Sequence, residues 1–297
     1  MTPRVLLSVL LYSLLILVAV PFSALPQDED DTKAIKAEVF IKSRPVKTSR
    51  STARYRPTVK KSDNNADVPP PGTAFAQLGV TLWRFRRSNT SDKTKELVEE
   101  DDGQQIEWTL ERIADNTLLA PGQRVRLGFE SLTREGYLYI IDREEYSDGS
   151  LGEPILIYPT QKSALDYRVE PGRLVYVPSA TGRFRIKPSD SAKIHVAEVL
   201  TFIVSPRPLM NENQLGHKSI KLERGLVDEW QRQWSSAATK FEMEGGNGQA
   251  MTSVEQSAGN QRSPLLSQSD PVPQTIYRLA VKPDAPVVST IRLRFGH

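Results

Sequence analysis

The 297-residue sequence predicts an all-β protein: an antiparallel β-sandwich with one docked helix, preceded by a disordered arm and an N-terminal signal or anchor. Three observations carry this expectation. Segments beyond residue 77 alternate apolar and polar side chains with period two, the pattern of strands with one buried face. Other segments are apolar on both parities, as strands covered on two sides are. Turn residues separate them at the spacing of a sandwich or barrel, with about nine or ten strands in all.

The chain begins with a charge-free run from Val5 to Leu25, after Arg4. A positive start, an apolar middle and small residues such as Ser23 and Ala24 fit an export signal over 1–25. The run is also long enough to span a bilayer, so a cleaved signal peptide and an uncleaved anchor both stay open. Either one places the remainder outside the cytoplasm, in the periplasm or secreted.

Residues 26–77 read as a disordered, proline-rich basic linker. An acidic cluster, Asp28 to Asp31, is followed by eight cations with no carboxylate between Lys42 and Lys61: Lys42, Arg44, Lys47, Arg50, Arg54, Arg56, Lys60 and Lys61. Such composition buries too little apolar area to offset chain entropy. It is read as a solvated spacer, with an electrostatic hold on an anionic surface as the functional alternative. Nucleic acid is not expected as a partner, because Tyr55 is the run's one aromatic and the chain carries an export signal. Beyond residue 77 the charges nearly balance, 28 basic against 29 acidic, so the overall excess of +3 belongs to the arm.

From 78 to 297 a single β-sandwich domain is expected. Val80 and Leu82 alternate with Thr81 and Trp83, Val125, Leu127 and Phe129 with Arg124, Arg126 and Gly128, and Val287, Ser289, Ile291, Leu293 and Phe295 with Val288, Thr290, Arg292 and Arg294. The stretches 137–141, 155–158, 174–177 and 196–204 are apolar on both parities and read as central strands. Asp102-Gly103 and Asp148-Gly149 read as hairpin turns. The pattern breaks once, between Leu226 and Ala237, where Val227, Trp230 and Trp234 fall at helical spacing and predict a helix with two indoles on the sheet.

Cysteine is absent, which removes thiol catalysis and cluster ligation, and the three histidines lack ligand spacing. No cofactor and no metal are expected. The glycine run 245–248 follows a helix and lacks the lysine of a phosphate loop, and no nucleophile elbow or zinc helix occurs. The one cluster with chemistry is Asp142, Glu144, Glu145 and Asp148, beside the strand at 137–141. Two carboxyl groups there are the candidate acid and base of an envelope hydrolase, although charges flanking an Asp-Gly turn also keep a loop hydrated. The main expectation is a non-catalytic binding or assembly module, not an enzyme, whose partner is an envelope protein or polymer.

Several strings carry a resemblance: Leu78-Gly-Val-Thr-Leu-Trp83-Arg, Pro121-Gly-Gln-Arg-Val-Arg-Leu127, Gly136-Tyr-Leu-Tyr-Ile-Ile-Asp-Arg143, Gly152-Glu-Pro-Ile-Leu-Ile-Tyr-Pro159 and Pro171-Gly-Arg-Leu. They resemble the bacterial domain of unknown function family 4384 over a core of 78–208. The stretch 209–297 looks like an extension carried by exported, acidobacterial-type members. The resemblance implies an accessory β domain of envelope proteins and brings no catalytic residues with it.

Overall fold

The computed structural model describes residues 37–47, 59–61, 74–100, 102–163, 167–187, 193–259 and 264–296, all within one unit, Ala34–His297. The signal run at 5–25 lies outside the described residues. The strands are β1 (Val59–Lys61), β2 (Phe75–Arg87), β3 (Glu96–Glu99), β4 (Gln105–Ile113), β5 (Arg124–Ser131), β6 (Gly136–Tyr146), β7 (Ile155–Tyr158) and β8 (Arg168–Val169). They continue with β9 (Val175–Val177), β10 (Phe184–Arg185), β11 (His195–Ser205), β12 (Ile220–Lys221), β13 (Ala238–Met243), β14 (Thr275–Ala280) and β15 (Val287–Arg294). Two helices, α1 (Arg224–Trp234) and α2 (Ser253–Ala258), interrupt them. The strands exceed the expected nine or ten because several are two or three residues long, too short for alternation to mark in a sequence.

Two antiparallel sheets form the expected sandwich. The first runs β1-β13-β14-β2-β4-β3, with β5 on the other edge of β2 carrying β9 and β10. Its axis is the 13-residue β2, whose first half pairs with β14 and second half with β4, while β5 lies along 78–84. The second sheet runs β12-β7-β6-β11-β15, with β8 beside β6. The inner faces meet in one core, where Phe129 of β5 stacks on Phe202 of β11 at 5.5 Å between ring centroids. The 209–297 stretch supplies β14 to the centre of one sheet and β15 to the edge of the other, so it is integral to the sandwich.

The outer faces are covered too. The expected helix appears as α1 and packs Val227 and Trp230 onto the second sheet, with Trp234 stacked on Trp230 at 5.8 Å. Asp228 of α1 reaches Arg143 of β6 at 2.9 Å, and Gln231 donates to Thr201 of β11. The first sheet's outer face carries Trp83, Phe85 and Leu110, which α2 and its flanks cover with Met251, Ala258 and Leu266. Thr252 and Glu255 form the capping box that starts α2. Alternation in β2 implied one wet face; this cover buries both.

Two stretches of the expected linker belong to the folded unit, one as cover and one as a strand, which corrects the spacer expected over those residues. Ala37, Phe40 and Ile41 recur at helical spacing and pack on Leu132, Phe241, Met243, Val272 and Ile276. Residues 59–61 add a strand to β13. One helical turn of apolar residues is too short to register as periodicity, but it suffices when a sheet face is waiting for it.

Candidate functional site

A cleft of about 440 Å³ opens between β15 and the side chains of Ala238 and Lys240 on β13 and Tyr277 on β14. The turn after β4 gives it Asp115 and Asn116, and the segment after α1 gives it Ser235 and Ser236. β15 is the last strand of its sheet, so one long edge has no strand beside it among the described residues. Among the described residues that edge is bridged at its ends, by Ser235 against Val288 and by Leu119 against Phe295.

The cleft's charges are asymmetric. Lys240 of β13 pairs with Asp115 and, at 2.6 Å, with Glu242. Burial works to lower the Lys240 ammonium, but the two carboxylates hold it above its usual value. Burial pushes the Asp115 carboxyl up, and sharing one ammonium with Glu242 leaves it under-compensated. Its Oδ1 is buried without a hydrogen-bond partner, while Oδ2 accepts a long bond from the Tyr277 hydroxyl at 3.5 Å. Burial, reinforced by Asp115, holds that phenol well above its ordinary range. From β15, Arg292 reaches Glu145 of β6 at 2.9 Å, and Arg294 is exposed beside it.

The carboxylates expected to act together are separated by strand geometry. β6 extends through Tyr146, so Asp142 and Glu144 face one side and Glu145 the other, where Arg292 holds it. Asp148 sits in the turn, pairing with Lys193 at 2.8 Å and accepting from the Ser150 hydroxyl and amide at 2.5 and 2.9 Å, contacts that keep its carboxyl well below the usual range. Sequence reasoning missed Glu198 of β11, which the register sets opposite Glu144 and diagonal to Asp142. Asp142 and Glu198 hydrogen-bond to each other. Burial, then their mutual repulsion and that of Glu144, pushes Glu198 up to about 9, and burial pushes Asp142 up to about 6.

Around that pair, Tyr146 donates to Glu144 at 2.5 Å, and His195 Nε2 lies 3.5 Å from Glu198 Oε1. No local signal links residues 142 and 198; only the pairing of β6 with β11 joins them. Among the described residues, no group of three or more histidines and carboxylates is arranged to hold a metal ion.

The basic run does not form one surface. Arg44 is enclosed, its guanidinium held by Glu130 and by the carbonyls of Ser267, Asp270 and Pro271. Lys47 pairs with the buried Asp270 at 2.7 Å. Lys60 and Lys61 lie in β1 opposite Glu242 and Phe241. Lys42 is exposed, and Arg50, Arg54 and Arg56 lie outside the described residues.

No family model matches the chain, and neither a curated protein nor a solved structure matches it.

Proposed function

We propose that this chain is a non-catalytic, extracytoplasmic binding or assembly module of the bacterial cell envelope, and that the cleft beside β15 is its binding site. The observation that carries this is the edge of β15, without a paired strand among the described residues, forming one wall of an open, polar cleft. Loops and sheet edges held by a rigid sandwich are where such domains bind partners. The export signal expected at 1–25 and the resemblance of several strings to an envelope-associated family agree with this reading.

A hydrolase working through Asp142 and Glu198 is the second reading, favoured by the separation of their ionisations. Against it, the two carboxyl groups bond directly to each other. A glycosidase needs roughly 5 Å or more between its carboxyl groups to admit the scissile bond. Neither residue lines the cleft.

The test places a photo-crosslinking amino acid at Asn116, in the cleft, in the full chain in its native cell, and at Glu229 on α1 as control. A discrete adduct with an envelope component from position 116 alone supports the reading. Identical adduct patterns overturn it, as does a C-terminal reporter active only in the cytoplasm. Loss of an envelope-degrading activity in Glu198→Gln would install the hydrolase instead.

A further inference from the structure

We propose that the cleft takes an extended acidic peptide, laid beside β15 as a further strand of the second sheet. This rests on the binding-module reading above and names the class of its ligand.

The backbone parity of β15 sets which groups face the cleft. The Phe295 amide donates inward to Val196 O, whereas Arg294 O accepts from Leu119 N at 2.8 Å and Gly296 N donates to Leu119 O at 3.0 Å on the opposite edge. Even-numbered residues therefore present their N–H and C=O groups away from β11, and Thr290 and Arg292 do so where no strand lies beside them among the described residues. The open stretch from Val288 to Arg294, whose carbonyl Leu119 already holds, is about 20 Å long at ~3.3 Å per residue, enough for a short peptide strand. An unpaired row of this kind is a template for strand addition unless something blunts it. Proline, bulges and charged side chains are the usual means; β15 has no proline within 287–294 and a regular ladder to β11, so Arg292 and Arg294 are what guards it, and they oppose a cationic strand while admitting an acidic one.

Charge selects the occupant. The cleft is lined by three cations, Lys240, Arg292 and Arg294, against the single carboxylate of Asp115. Lys240 and Arg292 have carboxylate partners, whereas Arg294 has no ion-pair partner among the described residues. A second copy of this chain pairing edge to edge would bring its own Arg292 and Arg294 against them, so self-association is opposed. A peptide with a carboxylate abreast of Arg294 meets the free cation. Leu118, 61 % exposed and lying against Gly296, offers an apolar contact just past that end.

The probes are two fluorescein-labelled nine-residue peptides of alternating Thr and Val, one carrying two Glu and the other two Lys, titrated against the full chain. The Glu peptide is expected to bind, the Lys peptide not, and hydrogen exchange at the Thr290 and Arg292 amides should slow in the complex. Arg294→Glu, a surface change, should weaken the Glu peptide by about tenfold or more and admit the Lys peptide. Thr290→Pro removes an outward donor and should abolish binding, with a thermal melt showing that it stays folded.

Equal binding of the two peptides, no binding up to about 1 mM, protection away from β15, or a dimer of the free chain closed through this edge would each overturn the proposal. Failure of both peptides while Asn116 still crosslinks to an envelope component discards the strand-addition mode and leaves the module reading standing. Failure of both discards both.

Discussion

Arg44 Nε and Nη2 bind the two carboxylate oxygens of Glu130 at 2.7 and 2.5 Å, with both side chains at least 99 % buried. The two residues stand 86 positions apart, one in a basic run that reads as spacer, the other near the C-terminal end of β5. Glu130 also accepts from the Gly172 amide at 3.1 Å, and the remaining Arg44 donors reach carbonyls on the 267–271 loop. The pair therefore ties the N-terminal segment, β5 and the cover of the first sheet at one point.

Removing Arg44 would strand the Glu130 charge inside the protein. Arg44→Ala is expected to lower stability by about 3–5 kcal/mol, the usual cost of breaking a buried pair from one side. Arg44→Lys should recover only part of this, because an ammonium cannot reproduce the fork. Lys47→Ala leaves the buried Asp270 carboxylate with the Ser267 amide and hydroxyl as remaining donors, so it should cost less than Arg44→Ala, whose removal leaves Glu130 with the Gly172 amide alone among the described residues. Urea denaturation of the three variants at neutral pH checks the ranking.

The Asp142–Glu198 pair makes stability depend on pH, with an unusual sign for carboxylates. Both native groups hold protons that the unfolded chain has released: Glu198 from its ordinary 4.5 up to about 9, Asp142 from 3.8 up to about 6. The native state binds more protons in those windows, so the stabilisation is complete at acid pH and is lost as pH rises through the native values. Glu198→Gln, which stays neutral, is expected to flatten the fall in melting temperature between about pH 5 and 9. An unchanged slope would show that the pair does not share a proton.

The same pair marks where sequence reading stops. Alternation in 287–295 identified β15 with its faces correctly assigned, because one side packs on the core and the other on water. The helix at α1 was legible from Val227, Trp230 and Trp234 for the same reason. Glu198 was not, because its partner is selected by strand register, a long-range property that no local window contains. The cleft was equally invisible: Asp115, Lys240 and Arg294 come from three distant elements, and each alone looks like an ordinary surface charge. The β13 strand and α2 leave no clear pattern in the sequence, since their buried faces consist of only a few residues each.

Gly128 shows how tightly the cover over the first sheet is built. A methyl group there would lie 2.3 Å from Trp83 Cζ3, inside a side chain with no exposed surface. The indole is held by Tyr176 at 5.4 Å and has nowhere to retreat. Gly128→Ala is expected to cost about 1–3 kcal/mol by overpacking, and combining it with Trp83→Phe should recover part of that loss. Thermal melts of the single and double variants measure it; equal melting temperatures for Gly128→Ala and the parent would mean the indole moves freely.

The structure also sharpens what the basic segment can do at an anionic surface. Each cation near an acidic membrane contributes about 1 kcal/mol at most. Arg44 is enclosed and Lys47 engaged by Asp270, so neither is available while the domain is folded. A fusion carrying residues 26–77 alone should therefore bind vesicles of acidic phospholipid more tightly than the full chain does, and release them as salt shortens the electrostatic reach below roughly 8 Å. Arg44→Ala separates the two contexts: it should weaken the isolated segment by about fivefold, the equivalent of one cation, and leave the full chain's vesicle binding undiminished. If Arg44→Ala weakens the full chain as much as the fusion, the arginine leaves Glu130 for the lipid, and the N-terminal segment is released from the sheet when the protein meets a membrane.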